Sequence, residues 1–261
     1  GVGTFTTYNH SIAEFLFSAD WAPSDSAEGG GSVGAAIFIF GSVITCALAL
    51  AIATPFSLAT AIFMTEISPE LGKRFVQPAV EIFVGIPSVV YGWIGLTILV
   101  PLIKNIFNLR FGFSVLAAGI VLAVMIFPTI TSLAADALRS IPKSYRAASY
   151  GLGATRWQTI AKVVVPAAVT GLMTAVILGL ARAFGEALAV AMVIGKMRAF
   201  PTSLLSPTNN LTAAIAADMG GAMEGSEYNI ALWTMALMLF IISLACIFAI
   251  HFLTAKGGKQ A

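Results

Sequence analysis

Arg182 and Glu186 stand in "ARAFGEALAV" (residues 181–190), inside a stretch otherwise free of charge from Pro166 to Gly195. Four residues separate them, so one helix would bring them to nearly the same face, within reach of each other. A charge near the middle of a bilayer costs ~2.5–3.5 kcal/mol on insertion scales, and such residues usually line a pathway. The alternative is a packing ion pair that only neutralises itself. Glu81 is a third charge at the edge of an apolar run; it lines an inner path or reaches to the interface. After it comes "IPSVVYG" (86–92), where Pro87 reads as a helix break that turns Ser88, Tyr91 and free backbone groups to a cavity, or as a plain kink filled by packing. Bond-making chemistry has no support. There is no GxxxxGK[ST] phosphate loop and no nucleophile–base set; His10 and His251 are isolated, and Cys46 and Cys246 read as small packing residues. We therefore expect no enzyme activity, no metal and no cofactor in this chain.

The elements that must hold these residues are membrane helices. Of the 261 residues 58% are hydrophobic and 10% charged, with mean hydropathy +0.93; a soluble domain carries about 25% charged residues. The runs 29–65, 82–103, 111–135 and 228–255 contain no Asp, Glu, Lys or Arg, and each exceeds the ~20 residues a spanning helix needs. The pattern predicts an all-α polytopic membrane protein with five spans at about 33–64, 75–103, 111–133, 163–194 and 228–253. The first is long enough to be tilted, or kinked at Pro55; the second is interrupted by Pro78 and Pro87, and the third contains Pro128. Residues 1–32 read as a polar external segment and 33–261 as the transmembrane domain. Trp21, Trp93, Trp157 and Trp233 suit anchoring at the membrane interfaces. Lys73, Arg74, Arg139, Lys143, Arg146, Arg156, Lys162, Lys256 and Lys259 fall on one side with Glu66, Glu70 and Asp136, while Lys104, Arg110, Lys196 and Arg198 fall on the other with Glu14, Asp20, Asp25, Glu28, Asp218, Glu224 and Glu227. The basic side is cytoplasmic by the positive-inside rule, which puts residue 1 outside and the C-terminus inside. The chain starts at Gly1 rather than Met, so an upstream segment is expected.

The longest inner loop, 136–165, is organised. Pro142 can open a helix over "KSYRAASYGL", Gly151 and Gly153 can stop it, and Thr155-Arg-Trp-Gln158 reads as a capping box that starts a second helix running to Pro166. Ala147, Ala148 and Gly153 leave one surface small and flat, fit for docking. A loop whose basic residues simply hold lipid phosphates is the competing reading.

"AASYGLGATRWQTIAKVVVP" (147–166) resembles the EAA loop of ABC-importer permeases, in which Glu-Ala-Ala is followed by three residues, Gly, nine residues and Ile-x-Leu-Pro. The Glu position falls on Ala147, a departure, the two Ala positions on Ala148 and Ser149, and the final motif on Val163, Val165 and Pro166. "EIFVGIPSVVYGWIGLTILVP" (81–101), "GLARAFGEALAV" (179–190) and "LSPTNNLTAAIAADMGGA" (205–222) are similar to the phosphate-specific permeases, the PstC type rather than its PstA partner. The resemblance implies a type I ABC-permease fold, normally with six spans, so that the first would be missing here. It implies coupling of Ala147, Ala148, Ser149, Gly153, Ala154, Thr155 and Pro166 to a cytoplasmic ATP-binding subunit dimer. It also implies a second, PstA-type permease, an external phosphate-binding protein, and a place in the bacterial inner membrane; no nucleic acid is involved.

On that resemblance the cargo is phosphate. Arg182 suits it, because a guanidinium stays charged and presents a planar fork to two oxygens. Glu186 would hold Arg182 when the path is empty and release it as the anion passes. A second Arg would come from the partner permease. The remaining alternatives are a permease for molybdate or sulfate, an ion-coupled transporter without ATPase, which leaves the Gly-containing hairpin unexplained, and a scaffold, which leaves Arg182 unexplained.

Overall fold

The computed structural model describes residues 2–26 and 28–257; for residues 250, 251 and 253–257 only the backbone is described. Gly1, Lys259 and Ala261, assigned above to sides of the membrane, lie outside the described residues, as do the side chains of His251 and Lys256.

The chain starts with two short helices, α1 (Gly3–Thr6) and α2 (Ile12–Phe17), and a two-stranded antiparallel pair, β1 (Trp21–Ala22) with β2 (Ser32–Val33) in the register Trp21 to Val33. The long helix α3 (Ala36–Ile62) follows, continued by a π-helical stretch Phe63–Ile67. Then come α4 (Pro69–Leu71), a π-helical stretch Gly72–Val76, and α5 (Gln77–Gly85). After a break, α6 (Ser88–Ile94), a π-helical stretch Gly95–Leu99 and α7 (Val100–Ile106) form one helix. α8 (Val115–Arg139), α9 (Lys143–Gly151) and α10 (Arg156–Thr159) come next, and a π-helical stretch Ile160–Val164 joins α10 to α11 (Val165–Ala167). The chain ends with α12 (Val169–Gly185), α13 (Leu188–Val193), α14 (Leu211–Asp218) and α15 (Glu227–Gly257).

Each π-helical stretch among the described residues ends two residues before a proline: Pro69, Pro78, Pro101 and Pro166. Proline lacks an N–H and crowds the carbonyl one turn earlier. Widening that turn to i→i+5 bonding re-satisfies the freed carbonyls, which an apolar surrounding demands.

Among the described residues four helices are long and apolar enough to cross a membrane: Ala36–Ile67, Ser88–Ile106, Val115–Arg139 and Glu227–Ala249. A fifth arises if Arg156–Ala167 and Val169–Gly185, bent by 68° at Ala168, are one span. Residues 75–103 are interrupted at Pro87, which divides α5 from α6, in line with the helix break read from "IPSVVYG". One expected span is corrected: residues 163–194 are not one helix, because the chain bends at Ala168, two residues after Pro166, and leaves the helix again after Gly185.

The chain divides into two compact units, one of Gly1–Ala49, Pro87–Leu122 and Ala183–Leu244, the other of Leu50–Ile86, Ala123–Arg182 and Ala245–Ala261. The division falls within α3, α8, α12 and α15. In the first unit the N-terminal segment is packed rather than trailing. Phe15, Trp21, Val33 and Phe38 are buried with Leu211, Ala231, Leu232 and Met235. Trp21, expected as an interface anchor, instead stacks edge-on against Phe38 at 5.1 Å. The carboxylate of Glu227, 1% exposed, ties this segment down by accepting from Ser24 N (2.7 Å), Gly31 N (2.9 Å) and His10 Nε2 (2.7 Å). Such closure is needed, because an unpaired buried carboxylate is expensive.

In the second unit α12 runs against α8 through small residues. A side chain on Gly171 would meet Ala137, and one on Gly179 would meet Ile130. Eight residues along one helix match seven along the other, so the two are antiparallel neighbours. Close backbone approach of this kind supplies the packing that hydrophobicity cannot supply between helices in lipid.

Candidate functional site

The α8–α12 register places Arg182. One turn beyond the Gly179–Ile130 contact its half-buried side chain reaches α8, and Nη1 donates to Thr129 Oγ1 at 2.5 Å. Arg182 lies in the last turn of α12, where a cation complements the negative end of the helix dipole. The helix ends at Gly185, the residue with the weakest helix preference in "ARAFGEA", so the continuous helix on which the four-residue spacing of Arg182 and Glu186 depends is interrupted between them. Glu186 opens a short non-helical link to α13, and its carbonyl accepts from Thr212 Oγ1 of α14 at 2.8 Å. That bond satisfies backbone at a helix break, as an apolar surrounding requires.

Ser88 and Tyr91 follow the other break. Ile86 (ψ 127°) and Pro87 (ψ 141°) are extended, and α6 starts at Ser88. Ser88 is half-buried at this helix start, while Tyr91 is 8% exposed and so belongs to the packed side of α6. The packing is close: Gly92 lies against Ala189 and Met192 of α13. Val89, Leu188, Ala191, Met192, Lys196, Ala216 and Ala217 line a cavity of about 210 Å³ beside it.

Glu81 accepts from Gln77 Nε2 at 3.0 Å, and Arg139 Nη2 donates to Gln77 Oε1 at 3.2 Å while Nη1 faces Asp136 at 3.5 Å. These groups, with Ser132, border a polar cavity of about 220 Å³ in the second unit. Glu81 is thus one end of a polar chain joining α5 to α8.

The expected hairpin forms as its local signals dictate. α9 ends at Gly151, Gly153 takes φ +80°, and the Thr155–Gln158 capping box is made from both sides. Ser149 and Thr159 hydroxyls join its two arms at 2.9 Å. Ala147 and Ala148 are exposed, as are Tyr145, Leu152 and Trp157, and the face includes a depression of about 530 Å³ lined by Tyr145, Ala148, Ser149, Leu152, Ala154 and Val163. Leu152 is 90% exposed. Pro166 sits in the turn before the 68° bend.

Four residues that sequence reasoning passed over take part. Thr129 and Thr212 are single hydroxyls in apolar helices and carry no distinctive pattern. Glu66 closes the apolar helix 36–67 and pairs with Arg146, whose Nε and Nη2 reach its two carboxylate oxygens at 3.1 and 2.5 Å. Arg146 served above only as a topology charge. Outside the spans, His10 has a raised pKa: burial opposes protonation, but the carboxylates of Glu227 and Glu14 outweigh it.

Comparison with known proteins agrees with this geometry. The family described as binding-protein-dependent transport system inner membrane component matches residues 53–256. The probable ABC transporter permease protein YqgH of Bacillus subtilis is 52% identical over 256 residues, covering 98% of this chain and 82% of that protein. The phosphate transport system permease protein PstC of Haemophilus influenzae is 36% identical over 261 residues, covering 93% of this chain and 81% of that protein. Among solved structures, a chain of the MetNI methionine ABC transporter in an inward-facing conformation superposes with a TM-score of 0.64 at 21% identity, over 85% of this chain and 96% of that one. The last of these shows the fold alone. Helical content, the capped hairpin and these matches together make the chain a multi-pass membrane permease of the type I ABC-importer fold, a member of the binding-protein-dependent transport system inner membrane component family.

Proposed function

We propose that this chain is the membrane subunit of an ATP-driven importer of inorganic phosphate. It forms half of the translocation path beside a second permease of PstA type, receives phosphate from an external binding protein, and rests on a cytoplasmic ATPase dimer. The observation that carries the reading is the capped helix–Gly–helix hairpin, with its exposed apolar face, in a chain 36% identical to a phosphate transport permease. The ATPase dimer seats on 147–155, so the loop 136–165 is cytoplasmic, residues 1–32 are external, and the C-terminus is inside. Basic residues concentrated in that loop support the orientation.

Arg182 is the anion's contact in the membrane. In this conformation its fork is held by the neutral Thr129 hydroxyl rather than by a carboxylate. A phosphate oxygen can displace a neutral acceptor at lower cost than it could displace an anion, because charge-assisted bonds are roughly twice as strong. Ser88, at the start of α6, and Glu81, in its polar cavity, also belong to the path in this reading, and Tyr91 supports α6 from its packed side. Purification from native membranes tests the assembly. Stoichiometric recovery of an ATPase and a second permease supports it; recovery of this chain alone in a transport-competent form refutes it.

A further inference from the structure

Glu66 is held from both arms of the hairpin. Its side chain is 9% exposed and that of Arg146 20%. The Arg146 guanidinium meets both Glu66 oxygens and also donates to the carbonyls of Ile141 (2.8 Å, Nη1) and Leu138 (3.1 Å, Nη2). The Leu138 carbonyl lies in the last turn of α8, where it also accepts from Ile141 N at 3.4 Å, and the Ile141 carbonyl lies just past that helix end. From the other arm, Arg156 donates through Nη2 to the carbonyls of Glu66 and Ile67, the latter at 2.7 Å. The Ser149–Thr159 bond keeps the two arms together. One carboxylate and a few carbonyls thus gather the end of the 36–67 helix, the end of α8 and the hairpin into one knot.

Residues 137–166, the two arms of the hairpin, contain no Asp or Glu. Ala147 occupies the position where the resembled pattern has Glu, and it is exposed. The acid that meets the hairpin's arginine comes from another helix. Beyond the knot, α8 leads to Thr129, which holds Arg182.

We propose that Glu66, clasped by Arg146 and Arg156, is the positioning residue that passes movement of the hairpin to the 36–67 helix and to α8, and so to Arg182. The proposal rests on the ATP-driven reading above. A bidentate fork resists both sliding and rotation, which a single ammonium contact cannot do. Attachment at two arms makes the hairpin a lever rather than a hinge.

The test uses the whole complex in proteoliposomes, with binding protein and inorganic phosphate outside and ATP inside. Phosphate moved per ATP hydrolysed is compared for the parent, Glu66→Gln, Glu66→Asp and Arg146→Lys, with ATPase recovery measured as a folding control. Glu66→Gln and Arg146→Lys should lower phosphate moved per ATP about tenfold, within the range of a single coupling interaction. The ATPase should remain bound and basal hydrolysis unchanged, and Glu66→Asp should recover part of the loss. If the parent couples and the variants couple equally well, or lose uptake and hydrolysis only in proportion to lost complex, the strut is overturned and the import reading stands. If the parent shows no ATP-dependent phosphate uptake, the import reading falls and takes the strut with it.

Discussion

The hairpin 143–167 and the segment around Arg182 carry the two halves of the account, and they are built in opposite ways. In the hairpin nearly every determinant is local: Gly153 supplies the left-handed turn, Thr155 and Gln158 cap one another, and Ser149 meets Thr159 ten residues on. Around Arg182 the determinants are distant: Thr129 lies 53 residues away and the partner of the Glu186 carbonyl 26. Local rules therefore describe the first region, whereas the second is decided by which helices pack together.

The largest effect should separate these readings at Arg182. Arg182→Gln should abolish phosphate uptake, and Arg182→Lys should lower it strongly because the fork is lost. Glu186→Gln should cost far less, since the helix ends at Gly185 between the two charges, and the double Gln variant should be as inactive as Arg182→Gln alone. Uptake measured beside membrane protein level checks this. Recovery of uptake in the double variant would restore the ion-pair reading and break the comparison.

Gly153→Glu comes next. A Cβ there meets nothing within 4 Å, so the chain itself leaves room. The residue has φ +80°, which disfavours any side chain, and its new carboxylate would project from the docking face. Uptake should fall while protein level holds; normal ATP-dependent uptake would remove docking from this surface.

Thr155→Ala breaks the capping box and should destabilise the hairpin by ~1 kcal/mol, read as faster hydrogen exchange at Gln158 and Thr159 with exchange around Arg182 unchanged. Spread of the effect to Arg182 would show that the two regions are less separate than their construction implies.

The smallest effect concerns the N-terminal clip, another long-range construction, in which His10 joins Glu227 across 217 residues. Because the folded pKa of His10 is raised, its protonated form contributes stability that is fully present below about 6.5, its unfolded value, and is lost as pH rises through the folded value. Proteolysis within residues 8–31 of the purified protein should therefore quicken as pH rises through that window, and His10→Gln should flatten the response. An unchanged profile in His10→Gln would assign the response to another group.

What the sequence made legible follows the same division. Charge-free runs gave the helical membrane class, and the capping box and Gly153 gave the hairpin, because hydropathy and local hydrogen bonding settle both. Pro87 announced a helix break, but nothing local announced that the turns ahead of Pro69, Pro78, Pro101 and Pro166 would widen into π geometry. The 163–194 span was misread because hydropathy does not register a break after Gly185, where Thr212 satisfies the Glu186 carbonyl. Glu66 was passed over for a similar reason: its partners Arg146 and Arg156 lie 80 and 90 residues away. Trp21 looked like an interface anchor until the N-terminal segment was seen to fold over Phe38.

The central claim is import of phosphate, driven by ATP and delivered by a binding protein. Its most direct measurement is uptake of labelled phosphate by proteoliposomes holding the complete complex, with ATP sealed inside and phosphate-loaded binding protein outside. The account predicts uptake that needs both ATP and the binding protein, that excess unlabelled molybdate or sulfate leaves intact, and that Arg182→Gln eliminates. Uptake that persists without ATP, or an Arg182→Gln complex that transports like the parent, would contradict it.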